Sequence, residues 1–596
     1  MPSTDKRFLP ISRLDMKERG WEELDVILVT CDAYVDHPSY GVAVIGRVLE
    51  KAGLQVGVIA EPDCRKADDF LKLGRPRLFF GVTAGNIDSM LANYTANRRI
   101  RSSDSYSSGG GRRFRPDRAS IILTNRIREA FPGVTVVLGG IEASMRRLAH
   151  YDYWQEKVRR SILLDSKADI IVYGMGERQI LEIASRLKEG SAKAGLSGIR
   201  GTVIAANFTD GIGDFLEIPS FEDVSGDKKK FNEAFKIIYG ESDPHSGRAL
   251  VQRHGDRAVI QYPPAIPLNT DEMDEIYNLR YARSWHPSYE KKGGVPAFET
   301  VRFSITSHRG CPGGCNFCSI YLHQGRIVQS RGAKSILSEI RTIAGDRKFK
   351  GTITDIGGPT ANLYGASCGQ WDTKGACRDL MCLMSAKCGK LKLGYDRILN
   401  LWQEAAKIPG VKHIFVSSGV RYDLLIDRYS DNYLKELCKD HISGRLKVAP
   451  EHTDPEVLHL MNKPPFSVYK RFIQRFNEIN RRLGKRQFLV NYFISAHPGS
   501  TLKNTKDMSV TLSKLHIHPE QIQDFIPLPM TISCCMYYTG IEPYSGRKVY
   551  NAKGLRERRL QSALIQYFQP GNRRYVKEAF SKLKYEEEKP ASDIIE

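Results

Sequence analysis

Two long stretches of the chain alternate short apolar runs with amphipathic segments. The first opens at residues 25–30 (DVILVT), whose β-branched apolar side chains predict a buried strand. Residues 41–51 (GVAVIGRVLEK) then gather their apolar side chains on one helical face, with Gly53 near the end. Further strands are predicted at 55–60, 78–82, 135–138 and 168–173, with helices running through Met90 and over 120–130. This order predicts an α/β domain over 21–206, a doubly wound parallel sheet that binds ligands at the strands' C-terminal ends. The second stretch, 299–545, places strands at 301–306, 351–356, 413–417, 446–449, 488–495 and 523–528. Six strand–helix units of this kind suit a parallel barrel, whose chemistry lies at the C-terminal rim. Between the two, 207–298 loses the alternation and reads as a connector with a few helices. Residues 1–20 read as a tail, and 546–596 as a helix followed by a charged tail.

Composition changes this picture in three places. With 596 residues, 41% of them hydrophobic, the chain can bury large cores and is not a disordered one. No apolar run is long enough to span a bilayer, and the first twenty residues lack the apolar stretch of a secretory signal, so a cytoplasmic protein with no membrane partner is expected. The net charge of +21 makes RNA a partner to consider. The sharpest basic cluster lies in residues 97–118 (NRRIRSSDSYSSGGGRRFRPDR), a polar insertion predicted to be a mobile loop.

Seven of the twelve cysteines fall between Cys311 and Cys388, which suits metal ligation in a reducing compartment better than a disulfide framework. Cys311, Cys315 and Cys318 sit at i, i+4 and i+7 in TSHRGCPGGCNFCSIY, in a segment too rich in glycine for a helix. Three close thiolates suit a soft metal centre. Structural zinc sites and most iron–sulfur clusters take four protein ligands, so three leave one metal position open for chemistry. A zinc knuckle or three buried core thiols are the alternatives. Cys368, Cys377, Cys382 and Cys388 form a second set after the second barrel strand, enough for a second iron–sulfur cluster or a zinc.

The C-x-x-x-C-x-x-C spacing with Phe317 before the last cysteine resembles the signature of the radical S-adenosylmethionine (SAM) superfamily. That resemblance implies a [4Fe-4S] cluster on Cys311, Cys315 and Cys318, whose open iron chelates SAM. It also implies reductive cleavage of SAM to methionine and a 5′-deoxyadenosyl radical, and the partial (β/α)6 barrel of the superfamily. Such chemistry needs an electron donor such as flavodoxin or ferredoxin. Phe317 is then expected near the adenine. Gly357-Gly358 match the superfamily's glycine pair after the second strand, which offers backbone groups to the SAM amino group. Pro359 replaces the usual acidic residue, so only the backbone role carries over. The rim loops add Ser417, Ser418, Arg421 and Asp423 after strand three, Glu451 and His452 after strand four, and His497 and Gly499 after strand five. Ser417 or Glu451 is expected to hold the ribose hydroxyls or the carboxylate of SAM.

The phrases GGIEASMRRLAHYDYW, GGPTAN, SSGVRYDL, APEHT and YFISAHPGS are together similar to the YgiQ family of radical SAM proteins, over nearly the whole chain. That likeness implies a cobalamin-binding-like N-terminal domain and no particular substrate. The corrinoid-ligating pattern of such domains is D-x-H-x-x-G. The matching stretch here, Asp36-His37-Pro38-Ser39-Tyr40-Gly41, has both aspartate and glycine one place late, so cobalamin is not expected. Within this reading an RNA-modifying radical SAM enzyme is one alternative, and a non-catalytic iron–sulfur redox sensor or scaffold another.

Overall fold

The structure is a computed structural model that describes residues 7–111, 115–190, 193–207, 214–378, 381–383 and 387–587. Strands β1 (Val26–Thr30), β2 (Val56–Ala60), β3 (Phe79–Thr83), β4 (Val136–Leu138) and β5 (Ile170–Val172) form at the expected apolar runs. Every residue of β1, β4 and β5 is buried, as in parallel strands covered on both faces. Helix α1 (Gly41–Lys51) supplies part of that cover with Ala43, Val44, Val48 and Leu49. β1 lies between β2 and β3 and is parallel to both, and β4 and β5 continue parallel beyond β3. The chain thus steps to one side of β1 and then to the other, which opens a crevice at the C-terminal ends of β1 and β3.

The sheet runs further than the alternation indicated. β6 (Thr202–Ala206), β7 (Phe215–Ile218), β8 (Ala249–His254) and β9 (Arg257–Gln261) extend it to nine strands, in the order β7-β8-β9-β6-β5-β4-β3-β1-β2. The joints β5–β6, β6–β9 and β9–β8 are antiparallel. The segment expected to be a connector is therefore partly sheet. Its strands hid because polar residues occupy buried positions. Gln252 in β8 is buried, accepting the Ala149 N–H at 2.8 Å and donating to the Pro219 carbonyl at 3.0 Å.

The insertion expected to be mobile also packs. Arg115 is buried between Asp32 and Asp104, each at 2.8 Å. Arg118 pairs with Asp152 at 2.8 Å, Arg98 with Glu156, and Arg101 donates to the carbonyls of Leu91 and Tyr94. The acids that neutralise these arginines lie mostly far off in sequence, so local composition could not reveal them. Arg112, Arg113 and Phe114 lie outside the described residues.

The second half supplies β10 (Ser304–Thr306), β11 (Thr352–Ile353), β12 (Asp355–Gly357), β13 (His413–Ile414), β14 (Arg445–Glu451), β15 (Phe488–Ser495) and β16 (Gln521–Asp524). β11 and β12 occupy the place of one expected strand, so the six positions appear in the expected order. These strands pair in parallel: β10 with β12, β11 with β13, and β15 with both β14 and β16. Helix α2 (Pro455–Leu460) follows β14, started by Asp454, whose carboxylate accepts the N–H groups of Glu456 and Val457. Near the C-terminus, α3 (Leu555–Ile565) covers the barrel. Its Gln561 is buried, donates to Ser500 O at 2.9 Å and accepts the Ala496 N–H at 3.0 Å. Helix α4 (Arg573–Glu587) packs on α3 through Ala579 and Leu583. A buried ion pair at 2.6 Å, Arg309 with Glu177, joins the barrel to the N-terminal sheet. Among the described residues no helix is long and apolar enough to cross a membrane.

Candidate active site

The loop after β10 carries Cys311, Cys315 and Cys318. It leaves the strand through Gly310, whose φ is +82° and where a Cβ would stand 2.0 Å from Ile327 O, so only glycine fits. The Cys311 N–H donates to Gly325 O at 3.1 Å, and the Cys318 N–H to Cys315 O at 2.9 Å. The remaining ties come from far along the chain. Asn462, just past α2 with φ +52°, donates its amide to Gly314 O at 2.7 Å and Gly313 O at 3.3 Å. The Asn316 N–H donates to Met461 O and its side chain to Leu460 O, both at 3.0 Å. The Ser533 N–H closes the set on Asn316 O at 2.9 Å. The sequence singled out neither asparagine, because their partners are long-range backbone carbonyls.

The three thiols are half-buried. Burial pushes the Cys318 thiol up to about 12, with the nearby Cys315 and Cys311 adding to the shift. Burial also raises the Cys311 thiol, while the Arg421 guanidinium pulls it back. Arg421 is itself buried, 3.7 Å from Cys315 Sγ through Nη1 and paired with Asp423 at 2.7 Å. A soft metal that binds thiolate must release those protons, and a fixed cation beside the sulfurs offsets part of the charge then created. A Cβ at Gly313 would meet Cys311 Sγ at 3.2 Å and Arg421 Nη1 at 2.6 Å, so glycine there keeps the guanidinium close to the sulfurs. Among the described residues no three His, Cys, Asp or Glu side chains are drawn in to the reach of one shared ion. This donor set fits a cluster in which each cysteine takes its own iron.

The other rim candidates divide. Ser417, expected as a SAM contact, is spent on the fold: its N–H donates to Asp355 Oδ1 and its hydroxyl to Thr354 O, both at 2.7 Å. Ser418 donates to the same carboxylate through N–H and hydroxyl. Asp355, which the sequence did not single out, therefore ties β12 to the loop after β13. Burial raises its pKa, and the Ser417 and Ser418 N–H groups counter that. The Gly357 carbonyl accepts both the N–H and the hydroxyl of Ser307, at 2.7 and 3.0 Å. A Cβ on Gly358 would stand 2.7 Å from His308 O, so this glycine is required by close packing against β10's continuation.

Glu451 ends β14 with φ +67°, buried, 3.7 Å from Lys463. Burial raises its pKa, and Lys463 and Arg421 pull it down. Glu451, Lys463, Arg421 and Asp423 thus form one charged group beside the cysteine loop. Phe317 stands edge-on to His497, ring centroids 6.0 Å apart, and His497 Nε2 meets Ser533 Oγ at 2.7 Å. Burial holds His497 neutral, its pKa lowered to about 3, and His452 likewise at about 4.

A cavity of about 460 Å³ lies at the crevice of the N-terminal sheet. Asp32 follows β1 there, and Gly85, Gly140 and Gly176 follow β3, β4 and β5. Arg309 and His323, which flank the cysteine loop, line the opposite wall. His37 does not line it. Its ring is buried against Phe298, and Nδ1 accepts the Ser39 N–H at 3.1 Å. The second cysteine set, Cys368, Cys377, Cys382 and Cys388, lines a different cavity.

Comparison with known proteins agrees with this geometry. Residues 8–304 match the family described as Radical SAM N-terminal, 305–509 the Radical SAM superfamily, and 520–587 a domain of unknown function, DUF3362. A UPF0313 protein of Methanocella arvoryzae is 51% identical over 565 residues, covering 95% of this chain and 94% of its own. The chain belongs to the UPF0313 family. Another UPF0313 protein, from Clostridium botulinum, is 48% identical over 96% of this chain and 90% of its own. The UPF0313 chain described here is accordingly a radical SAM enzyme, with a [4Fe-4S] cluster and SAM as its cofactors. Among solved structures, the methyltransferase TsrM from Kitasatospora setae, with cobalamin and a [4Fe-4S] cluster bound, aligns at TM-score 0.48 and 16% identity over 85% of this chain and 74% of its own. OxsB, with aqua-cobalamin bound, aligns at TM-score 0.47 and 12% identity over 87% and 55%. The expectation against cobalamin draws no support from these two structures.

Proposed function

We propose that this UPF0313 protein reductively cleaves SAM at a cluster held by Cys311, Cys315 and Cys318, and that the resulting radical acts on a substrate lodged between the two halves. The observation that carries this reading is the shared wall of the 460 Å³ cavity, which joins the crevice of the N-terminal sheet to Arg309 and His323 on either side of the cysteine loop. In this reading Gly358 offers backbone groups to the methionine end of SAM, Phe317 packs near the adenine, and Glu451 meets a hydroxyl or ammonium group of SAM. Glu451 suits that role because a buried carboxylate with a single lysine partner has acceptor capacity left over. The buried, neutral His452 and His497 add a poorly hydrated surround on the rim. Sparse hydration and few hydrogen bonds to sulfur keep a cluster's potential low enough to reduce a sulfonium. Anaerobic reconstitution followed by a SAM-cleavage assay tests the proposal. 5′-Deoxyadenosine should form under a strong reductant and be absent with Cys315→Ala. A reconstituted wild type that forms none overturns it.

A second reading puts a corrinoid in the same cavity, favoured by its place at the strand ends of a doubly wound sheet. His37 does not fit as its ligand, since the ring faces Phe298 and lies off the cavity wall. A corrinoid there would be held by the apolar walls, the glycine turns and polar groups such as Asp32, Arg309 and His323. Titration with hydroxocobalamin, followed by its visible spectrum and by equilibrium dialysis, tests this, and no retention at micromolar protein removes it.

A further inference from the structure

Cys368, Cys377, Cys382 and Cys388 all line one cavity of about 330 Å³. That is room for about ten waters at liquid density. A structural zinc needs no such space, because it draws four sulfurs in to about 2.3 Å and closes its site. Among the described residues no three such groups converge on one ion, so the thiols ring a space rather than close on a point. The walls are Trp371 and Leu391, with Cys382 buried, Cys368 and Cys388 half-buried and Cys377 exposed. The Cys388 N–H donates to Cys382 O at 2.8 Å and the Trp371 N–H to Cys368 O at 3.0 Å, which holds the cysteines in their places around the space. The loop is moored to residues 241–246. Asp243 accepts the Ala376 N–H at 2.7 Å, and a Cβ on Gly375 would stand 2.1 Å from its carboxylate. Arg378 reaches Glu241 at 3.1 Å and Ser246 O at 2.7 Å.

One contact places this cavity beside the first cysteine loop. Met381 Sδ lies 2.7 Å from where a Cβ on Gly314 would stand. Met381 precedes Cys382 in the chain, and Gly314 precedes Cys315, so the two cysteine sets back onto each other through one methionine.

We propose that Cys368, Cys377, Cys382 and Cys388 hold a second iron–sulfur cluster, next to the first and ligated by cysteine on every side. Four thiolates leave no open iron, so this cluster does not bind SAM. It accepts one electron from a low-potential one-electron carrier protein, which is oxidised, and passes that electron to the first cluster. The electron then enters the sulfonium of SAM, whose C5′–S bond breaks to give methionine and the 5′-deoxyadenosyl radical. This last step rests on the cleavage reading above, but the second cluster itself does not.

The test uses the full chain, reconstituted anaerobically with iron and sulfide, with iron, sulfide and zinc measured and spectra taken by electron paramagnetic resonance after reduction. One variant combines Cys311→Ala, Cys315→Ala and Cys318→Ala; another combines Cys368→Ser, Cys377→Ser, Cys382→Ser and Cys388→Ser. Wild type should hold about twice the iron of either variant. The triple variant's spectrum should ignore SAM, and the quadruple variant's should shift with it. Wild type should also show broadening from two neighbouring spins that neither variant shows. A triple variant free of iron, or zinc retained at the loop, overturns the second cluster even if the quadruple variant fails to fold. A wild-type spectrum that is the plain sum of the two variants overturns the adjacency. An iron-loaded triple variant beside a quadruple variant whose cluster ignores SAM would sink the cleavage reading and leave the second cluster standing.

Discussion

The two cysteine loops are built on opposite plans. The first is gripped from outside: Asn462, Leu460, Met461 and Ser533, all from the far end of the barrel, bond its backbone. The second is moored to residues 241–246 by Asp243 and by Arg378, which reaches Glu241 and Ser246 O, and bonds between its own residues add to these. The first keeps all three thiols half-buried, with a fixed guanidinium 3.7 Å from Cys315. The second leaves Cys377 exposed. Burial pushes the Cys382 thiol up to about 11, with Arg326 pulling it down. Under the proposal above, a metal bound in the second loop would supply part of that loop's folding free energy.

The contrast can be broken in five places. Cys315→Ala should cut 5′-deoxyadenosine formation by on the order of 1000-fold, about 4 kcal/mol of barrier, because one open iron is the whole reaction centre. Next, anaerobic chelation should speed tryptic cleavage at Lys374, Arg378 and Lys390 by about tenfold, as expected for a loop folded by its metal. Arg309 and Arg326, flanking the first loop, should stay protected, and mass spectrometry of the fragments reads both rates. Equal acceleration at all five sites would erase the distinction. Asn462→Leu removes the donor shared by Gly313 O and Gly314 O and should cost about 1–3 kcal/mol in chemical denaturation.

Acid should act on the first loop's surroundings. His452 and His497 are lowered to about 4 and about 3 by burial. The unfolded chain therefore binds protons that the folded chain does not, and stability is lost as pH falls from about 6.5 toward those values. By pH 5 each histidine should account for up to about 2 kcal/mol, seen as a lowered melting temperature that His452→Asn makes shallower. The smallest effect belongs to Arg421→Met. Loss of the guanidinium beside Cys315 should lower the first cluster's midpoint potential by about 40 mV, or about 1 kcal/mol, in a spectroelectrochemical titration. The second cluster's potential should not move.

Much of this was legible in the sequence. β1 to β5 are short β-branched runs, and the cysteine spacing is local, so both could be read from neighbouring residues. Gly357 and Gly358 were legible as a glycine pair after the second barrel strand, and the structure adds the close packing against Ser418 and His308 that a Cβ there would break. What stayed hidden depends on partners far apart in the chain. Asp355 looks like any strand-end carboxylate until Ser417 and Ser418 arrive. Arg115 reads as a solvated charge in a serine–glycine loop until Asp32 and Asp104 close around it. β8 breaks its own alternation with a buried glutamine, and so passed for linker. The sequence named the four cysteines of the second loop, and only the fold brought them around one space.

Arg309 stands two residues before Cys311, and Glu177 follows the glycine turn after β5; the pair is buried on both sides. Pulled apart, the two halves would turn Arg309 and Glu177 out to water, each solvated by itself, and the bond that registers one half against the other would be gone. A barrel grafted onto a foreign partner would need an acid where Glu177 stands to be held in the same register.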